Sequence, residues 1–184
     1  MMRKLIYTVL ILFLSNFSLA SDNEKKQINK LFNQLKKTTN YEESKKIESQ
    51  IWDLWTTHPT DESLTNLLSD GSFLMSQNNL ESAYETFTKT INLDPNWAEA
   101  WNKRATVLYL MGEYELSQAD IDKVLKLEKR HFGALAGQGL VNIKLKNYEK
   151  AIKSYENALK IYPAMQSPEL MIKEIQALIK QELI

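Results

Sequence analysis

The sequence predicts an all-α protein, a solenoid of stacked helical hairpins with about nine helices, and three observations carry that reading. Leu80, Tyr114 and Tyr148 stand 34 residues apart, and Ala83, Ser117 and Ala151, then Phe87, Ile121 and Tyr155, repeat the spacing in phase. A fixed period of this length marks an array of helix-turn-helix units, each touching only its neighbours. Almost every stretch after residue 22 carries apolar residues at helical period, and none alternates at the period of a strand. Only five Gly and four Pro occur in 184 residues, too few for a loop-rich chain, while 43% hydrophobic content suffices for one packed domain.

The first segment, 1–20, reads as a signal peptide. Arg3 and Lys4 form a short positive region, Leu5 to Leu14 a mostly apolar run, and Ser18-Leu19-Ala20 a small-x-small cleavage site. The alternatives are an uncleaved anchor and a buried core helix. A spanning helix needs about 20 apolar residues, and Ser15, Asn16 and Ser18 interrupt this run early, which favours cleavage after Ala20. Without Arg3 and Lys4 the chain keeps 21 basic and 23 acidic side chains, a net charge of −2 with both His neutral. Such a mixed surface has no electrostatic footprint for nucleic acid. The absence of Cys means that an exported chain must rely on packing alone. The short leader and the Lys-, Asn- and Ile-rich composition favour the periplasm over the endoplasmic reticulum.

Residues 21–59 read as a degenerate helical hairpin. Ile28, Leu31, Phe32 and Leu35 form one apolar stripe and Ile47, Ile51, Leu54 and Trp55 another, with Thr38-Thr39-Asn40 between them. His58-Pro59 ends this unit, and Pro59 falls 36 residues before Pro95, so the hairpin is expected to begin the stack.

Residues 60–165 hold three copies in register, 64–97, 98–131 and 132–165. The fourth place carries Leu67, Trp101 and Leu135, and the eighth Gly71, Ala105 and Gly139, small enough for paired helices to approach closely. The twentieth place is small again (Ala83, Ser117, Ala151), and the twenty-fourth is bulky (Phe87, Ile121, Tyr155). Asn78-Asn79, Met111-Gly112 and Asn147 supply the left-handed residues that end each first helix. Pro95 and Pro163 stop the second helix of the outer copies, while Lys129 replaces that Pro in the middle one. In 166–184, Ser167 as N-cap and Pro168 at the first helical position open a capping helix, with Leu170, Ile172, Ile175, Leu178 and Ile179 apolar and Lys173, Glu174, Lys180 and Gln181 polar.

Chemistry is sparse. His58 and His131 each lack a second His or Cys at metal-ligand spacing, and solvated or capping roles are expected for both. There is no Gly-x-Ser-x-Gly elbow. Gly137-Gln138-Gly139 lies inside a helix whose phase gives Gly139 to packing, and neither Asp120/Asp122 nor Glu42/Glu43 converges on one face. No enzyme activity, metal or cofactor is expected.

Trp101, Ala105, Ala83, Phe87, Pro95, Ala151, Tyr155, Ala158 and Pro163 stand where the tetratricopeptide repeat (TPR) consensus has its marker residues, and over about 100 of 184 residues the chain resembles that family. Departures are Lys129 for Pro, Asn142 for an aromatic and Thr90 for Ala. The stretches Ala100 to Thr106 and Arg130 to Gly137 are similar to secreted TPR proteins of Gram-negative bacteria. The resemblance implies a right-handed solenoid with a concave groove lined by Leu68 and Met75 from the first copy, Asn102, Thr106 and Tyr109 from the second, and Gly133, Ala136, Leu140 and Ile143 from the third. Gly133 and Ala136 would leave a pocket beside Tyr109, unless the N-terminal hairpin fills the groove. It also implies an ion pair of Arg104 with Asp120. Relatives that clamp a C-terminal carboxylate do so with Lys, Asn and Arg, at places held here by Leu68, Ser72, Gly133 and Gly137, so that clamp is missing. The function expected is a periplasmic adaptor or scaffold holding a peptide or helix of an envelope protein. The alternative is a structural subunit that self-associates.

Overall fold

A computed structural model describes residues 23–182, so the expected signal peptide lies outside the described residues. Nine helices and no strand occur among the described residues: α1 (residues 23–35), α2 (Tyr41–Thr56), α3 (Glu62–Ser76), α4 (Leu80–Leu93), α5 (Ala98–Met111), α6 (Tyr114–Leu127), α7 (Phe132–Lys144), α8 (Tyr148–Ile161) and α9 (Gln166–Glu182). The second helices α4, α6 and α8 start at Leu80, Tyr114 and Tyr148 and end at Leu93, Leu127 and Ile161, so the 34-residue period of the sequence becomes a period of the backbone. Each first helix packs on its own second helix, and each second helix on the next first helix, through to α9.

The missing Pro at Lys129 does not move the middle junction. After each second helix one turn closes in the same way, with Trp97 N–H donating to Asp94 O (3.3 Å), His131 N–H to Glu128 O (3.1 Å) and Met165 N–H to Tyr162 O (3.1 Å). Glu128 adds what Pro supplies elsewhere: its carboxylate accepts from the Arg130 backbone N–H and from the Arg130 guanidinium. Inside the hairpins the left-handed residues are Asn78 (φ 57°), Gly112 (φ 85°) and Lys146 (φ 58°). The third differs from expectation. Asn147 is at φ −90° and Lys146, at the place equivalent to Gly112, carries the strain.

Large and small residues mesh as the repeat places require. A Cβ on Gly71 would sit 2.6 Å from the Phe87 ring, and one on Gly139 2.5 Å from the Tyr155 ring, so both places exclude any side chain. Ser117 stands for Ala at the twentieth place because its hydroxyl donates to Ala105 O (2.7 Å). Arg104 Nε and Nη2 donate to the two carboxylate oxygens of Asp120 at 2.7 and 2.8 Å, a bidentate pair that holds the Arg104 pKa above its usual value. Arg104 Nη1 reaches Thr88 (3.2 Å) and the guanidinium lies 4.9 Å from the Trp101 ring centre, which ties α4, α5 and α6 together.

The N-terminal hairpin departs from the expected stack. Its apolar stripes do bury, but they do not lie along α3. Leu31, Phe32, Leu35, Ile47, Ile51 and Trp55 form one core with Phe132 at the start of α7 and Tyr162 after α8. Polar bonds follow the same path: Ser44 shares a hydrogen bond with the Tyr162 hydroxyl (3.1 Å), and Arg130 donates to Asn29 (2.7 Å) while lying 4.2 Å over the Phe32 ring. The first hairpin of the stack is therefore α3–α4. Val107 and Val141 are buried against the preceding hairpin, whereas Phe73, at the same repeat place, is 64% exposed. At the other end α9 starts at Gln166, so Ser167 and Pro168 are the second and third helical residues rather than cap and first, positions where a Pro still needs no N–H.

Candidate functional site

The concave side is built from the first helices, and α5 and α7 leave a gap between them. A cavity of about 70 Å³ opens there, with Ala105, Ile121, Ala134, Gly137, Leu140 and Val141 as apolar lining and Asn102, Thr106 and Tyr109 along its α5 edge. The gap exists because Ala134 and Gly137 leave α7 with little side chain facing α5. A Cβ on Gly137 would meet only Ile121 Cδ1, at 3.8 Å, so nothing fills the space.

Five of the nine groove residues expected from the sequence come together here: Asn102, Thr106, Tyr109, Gly133 and Leu140. The other four do not reach the cavity. Leu68 is buried with Met75 packed nearby in the α3–α5 core, because α5 lies directly against their side of α3. Ala136 and Ile143 pack with Tyr155 and Ile175, because α9 takes the place of a fourth first helix and covers that face of α7. The missing side chain that opens the pocket is that of Gly137; Ala136 does not line it, and the space beside Gly133 is taken by the Trp52 ring.

One end of the groove is closed by the N-terminal hairpin. The Trp52 ring sits where a Gly133 Cβ would be, 2.7 Å away, and the Trp55 ring stacks on His131 at 3.9 Å and 7°. The Trp97 indole N–H donates to Trp55 O (2.9 Å), which fixes the end of α2 to the start of α5. The hairpin is a wall of the groove, and the cavity beside Tyr109 stays open.

Behind the wall is a buried acid and base pair that the sequence reading did not foresee. His131 has a fully buried side chain and caps α7: its Nδ1 accepts from Ala134 N–H (3.1 Å), so the ring proton is on Nε2 and is donated to Glu99 Oε2 (3.0 Å). His58 follows the same plan, accepting from Asp61 N–H (3.0 Å) through Nδ1 and meeting Asp94 Oδ2 through Nε2 (3.0 Å). His131 caps α7, as expected, while His58 closes the turn ahead of Asp61, which caps α3, and neither is solvated, with side chains 0% and 8% exposed respectively. Glu99 Oε2 also accepts from Asn102 Nδ2 (3.1 Å), while Oε1 has no hydrogen bond and faces Lys103 Nζ at 3.5 Å. The sequence does hold a signal for this set, since Glu99 occupies a groove-lining place with a charge that its neighbour His131 can answer across the repeat junction.

The consequence is at the groove. One N–H of the Asn102 amide donates to Glu99, and the other N–H and Oδ1 have no hydrogen-bond partner among the described residues, so the side chain keeps one donor and an acceptor. Thr106 donates its hydroxyl proton to Asn102 O (3.0 Å), which leaves its oxygen as an acceptor too. Tyr109 is held at its place by the Tyr114 ring, 5.5 Å between centres. No group of three or more His, Cys, Asp or Glu side chains that could hold a metal occurs among the described residues. None of the described helices is long and apolar enough to cross a membrane.

Stacked helical hairpins around a concave, apolar cavity with hydrogen-bonding groups at its rim define a helical-repeat recognition scaffold. The chain belongs to the tetratricopeptide repeat family: family models match residues 98–131 and 132–164. A TPR repeat-containing protein of Rhizobium etli is 34% identical over 146 residues, 79% of this chain and 71% of that protein. Two solved structures share the fold. The first TPR of Spaghetti (RPAP3) bound to the HSP90 peptide SRMEEVD superposes with a TM-score of 0.63 at 19% identity, over 65% of this chain and 94% of that one. The type III secretion chaperone SycD of Yersinia enterocolitica, in complex with a peptide of the translocator YopD, gives 0.60 at 12% identity, over 66% and 98%.

Proposed function

We propose that this protein is an exported, periplasmic adaptor without catalytic activity, which holds a peptide segment or helix of an envelope protein in its concave groove. The observation that carries the proposal is the open cavity between α5 and α7, where five expected groove residues converge beside a hairpin wall. Two solved neighbours of the same fold hold peptides, which supports recognition as the use of this one. The mode differs from that of a carboxylate clamp, because Leu68, Ser72, Gly133 and Gly137 supply no charge for an acidic C-terminus. Export rests on the leader read in residues 1–20.

The test has two arms. Osmotic shock of the producing cells should release the mature protein, starting after Ala20; retention in the cytoplasm would remove the export reading. A photo-crosslinking residue in place of exposed Thr106 should join the protein to an envelope partner, and the same residue in place of exposed Lys123 on α6 should not. Equal crosslinking at both places, or none at Thr106, would defeat the groove assignment. Self-association is a second reading, favoured by the 64% exposed Phe73 on α3 and the 58% exposed Leu170 on α9, one at each end of the stack. Light scattering decides it, since a mass independent of concentration removes it.

A further inference from the structure

We infer that the outer face of α1 docks on the anionic phospholipid headgroups of a membrane, where the folded protein adsorbs without inserting. This is independent of what the groove binds. The charge of the chain is unevenly spread. After the leader it holds 21 basic and 23 acidic side chains, yet in residues 23–37 Lys25, Lys26, Lys30, Lys36 and Lys37 stand against a single acid, Glu24. That stretch carries 5 − 1 = +4, and the remaining residues carry −2 − 4 = −6.

Helical geometry gathers the positive charge on one side. Ile28, Leu31, Phe32 and Leu35 form the inward stripe, and at about 100° per residue all five lysines fall on the rest of the surface, with Asn29 and Asn33 between them. Lys36 N–H donates to Phe32 O and Lys37 N–H to Gln34 O, both at 3.0 Å, so the last two lysines follow the course of the helix. Lys26, Lys30 and Lys37 make a line about 16 Å long opposite the stripe. All five are exposed, and none lies at ion-pair distance from a carboxylate among the described residues. Glu24 is on the stripe side, partly buried near His58. Arg130 borders the face through Asn29, and Asp53 of α2 lines the groove on its other side with Lys30.

This face suits a lipid surface. It carries no aromatic ring on which a nucleic-acid base could stack. Lys is a mobile point charge, fitted to a fluid layer of phosphates rather than to one fixed bidentate partner. Clusters of about four to eight basic residues bind anionic headgroups in this way. The leader read in residues 1–20 ends three residues before α1, which brings the face to a membrane as the chain is exported. Insertion is barred because the apolar stripe is committed to a core with Trp55, Phe132 and Tyr162.

The test is co-sedimentation of the mature protein, from Ser21, with vesicles of phosphatidylglycerol mixed with phosphatidylcholine and with vesicles of phosphatidylcholine alone. Binding should require phosphatidylglycerol, appear at about 0.01 M salt, where charges act over about 30 Å, and vanish at about 1 M, where they act over about 3 Å. Lys26→Gln, Lys30→Gln and Lys37→Gln together should weaken it about a hundredfold, at about fivefold per Lys, with the melting temperature unchanged. Lys123→Gln, Lys126→Gln and Lys129→Gln remove the same charge elsewhere and should leave most of the binding in place. Trp emission should stay the same, since Trp52 and Trp55 remain in the hairpin core. Equal binding to neutral vesicles, no binding to either kind, or equal losses from the two triple variants would overturn the inference. Salt-resistant binding with blue-shifted Trp emission would show the stripe entering the bilayer and overturn adsorption. Tighter binding to a single-stranded oligonucleotide than to vesicles at the same phosphate concentration would assign the face to nucleic acid instead. Each of these results leaves the groove assignment as it stands, because that rests on crosslinking at Thr106.

Discussion

Asp120→Ala is expected to cost stability out of proportion to the few atoms removed. In the folded protein Asp120 is 7% exposed and receives two hydrogen bonds from Arg104, whose side chain is 15% exposed. Removing the carboxylate leaves a guanidinium that cannot lose its charge, in a place with little access to water. Breaking a buried pair in this way costs about 3–5 kcal/mol. The residual exposure of Arg104, its bond to Thr88 and its contact with the Trp101 ring return part of that, so a loss of roughly 2–4 kcal/mol is expected. Urea unfolding of the full chain, followed by far-ultraviolet circular dichroism, measures it as a lower midpoint with an unchanged slope. Arg104→Met together with Asp120→Ala should recover much of the loss, because no buried charge then remains. A single-variant loss under about 0.5 kcal/mol, the range of an ordinary surface change, would refute the reasoning.

Three further perturbations follow from the same packing. Gly139→Ala should destabilise by about 1–3 kcal/mol, since its Cβ would lie 2.5 Å from a Tyr155 ring that is itself buried, and thermal unfolding would show it. Lys146→Gly should stabilise by up to about 1 kcal/mol by relieving a φ of 58°, read as a higher urea midpoint. Burial alone would raise the Glu128 carboxyl, but the Arg130 side chain and backbone bonds outweigh it and hold Glu128 below the ordinary carboxylate range. A depressed folded value gives stability that is present above the unfolded value and lost as pH falls through the folded one. Glu128→Gln should therefore flatten the fall in stability below about pH 4.3 and leave its shape at neutral pH unchanged.

What was legible in the sequence is what repeats. Both ends of the three second helices follow from equal places 34 residues apart, including the middle junction, where Glu128 and Arg130 do the work of an absent Pro. Arg104 and Asp120 could be paired because both sit at fixed places of one hairpin. The N-terminal hairpin shows the limit. Its stripes say that Phe32, Ile51 and Trp55 are buried, but a stripe does not name what it is buried against, and no period links Trp55 to His131 or Ser44 to Tyr162. The groove was half legible for a related reason: place numbers put Ala136 and Ile143 on the concave side, and only the packing of α9 shows that they are covered. Lys146 was missed because Asn147, a better left-handed residue, stands next to it, while the hydrogen bond from Asn147 N–H to Asn142 O fixes the turn one residue earlier.

The central claim is that ligand enters the cavity between α5 and α7, and methyl NMR tests it directly. With Ile, Leu and Val methyls labelled, titration with a peptide from the partner crosslinked at Thr106 should shift Ile121, Leu140 and Val141 first and most, and leave Ile47 and Ile51 in the hairpin core unmoved. Shifts centred on the hairpin core, or on Leu170 and Leu178 of α9 with Ile121 and Val141 unchanged, would contradict it.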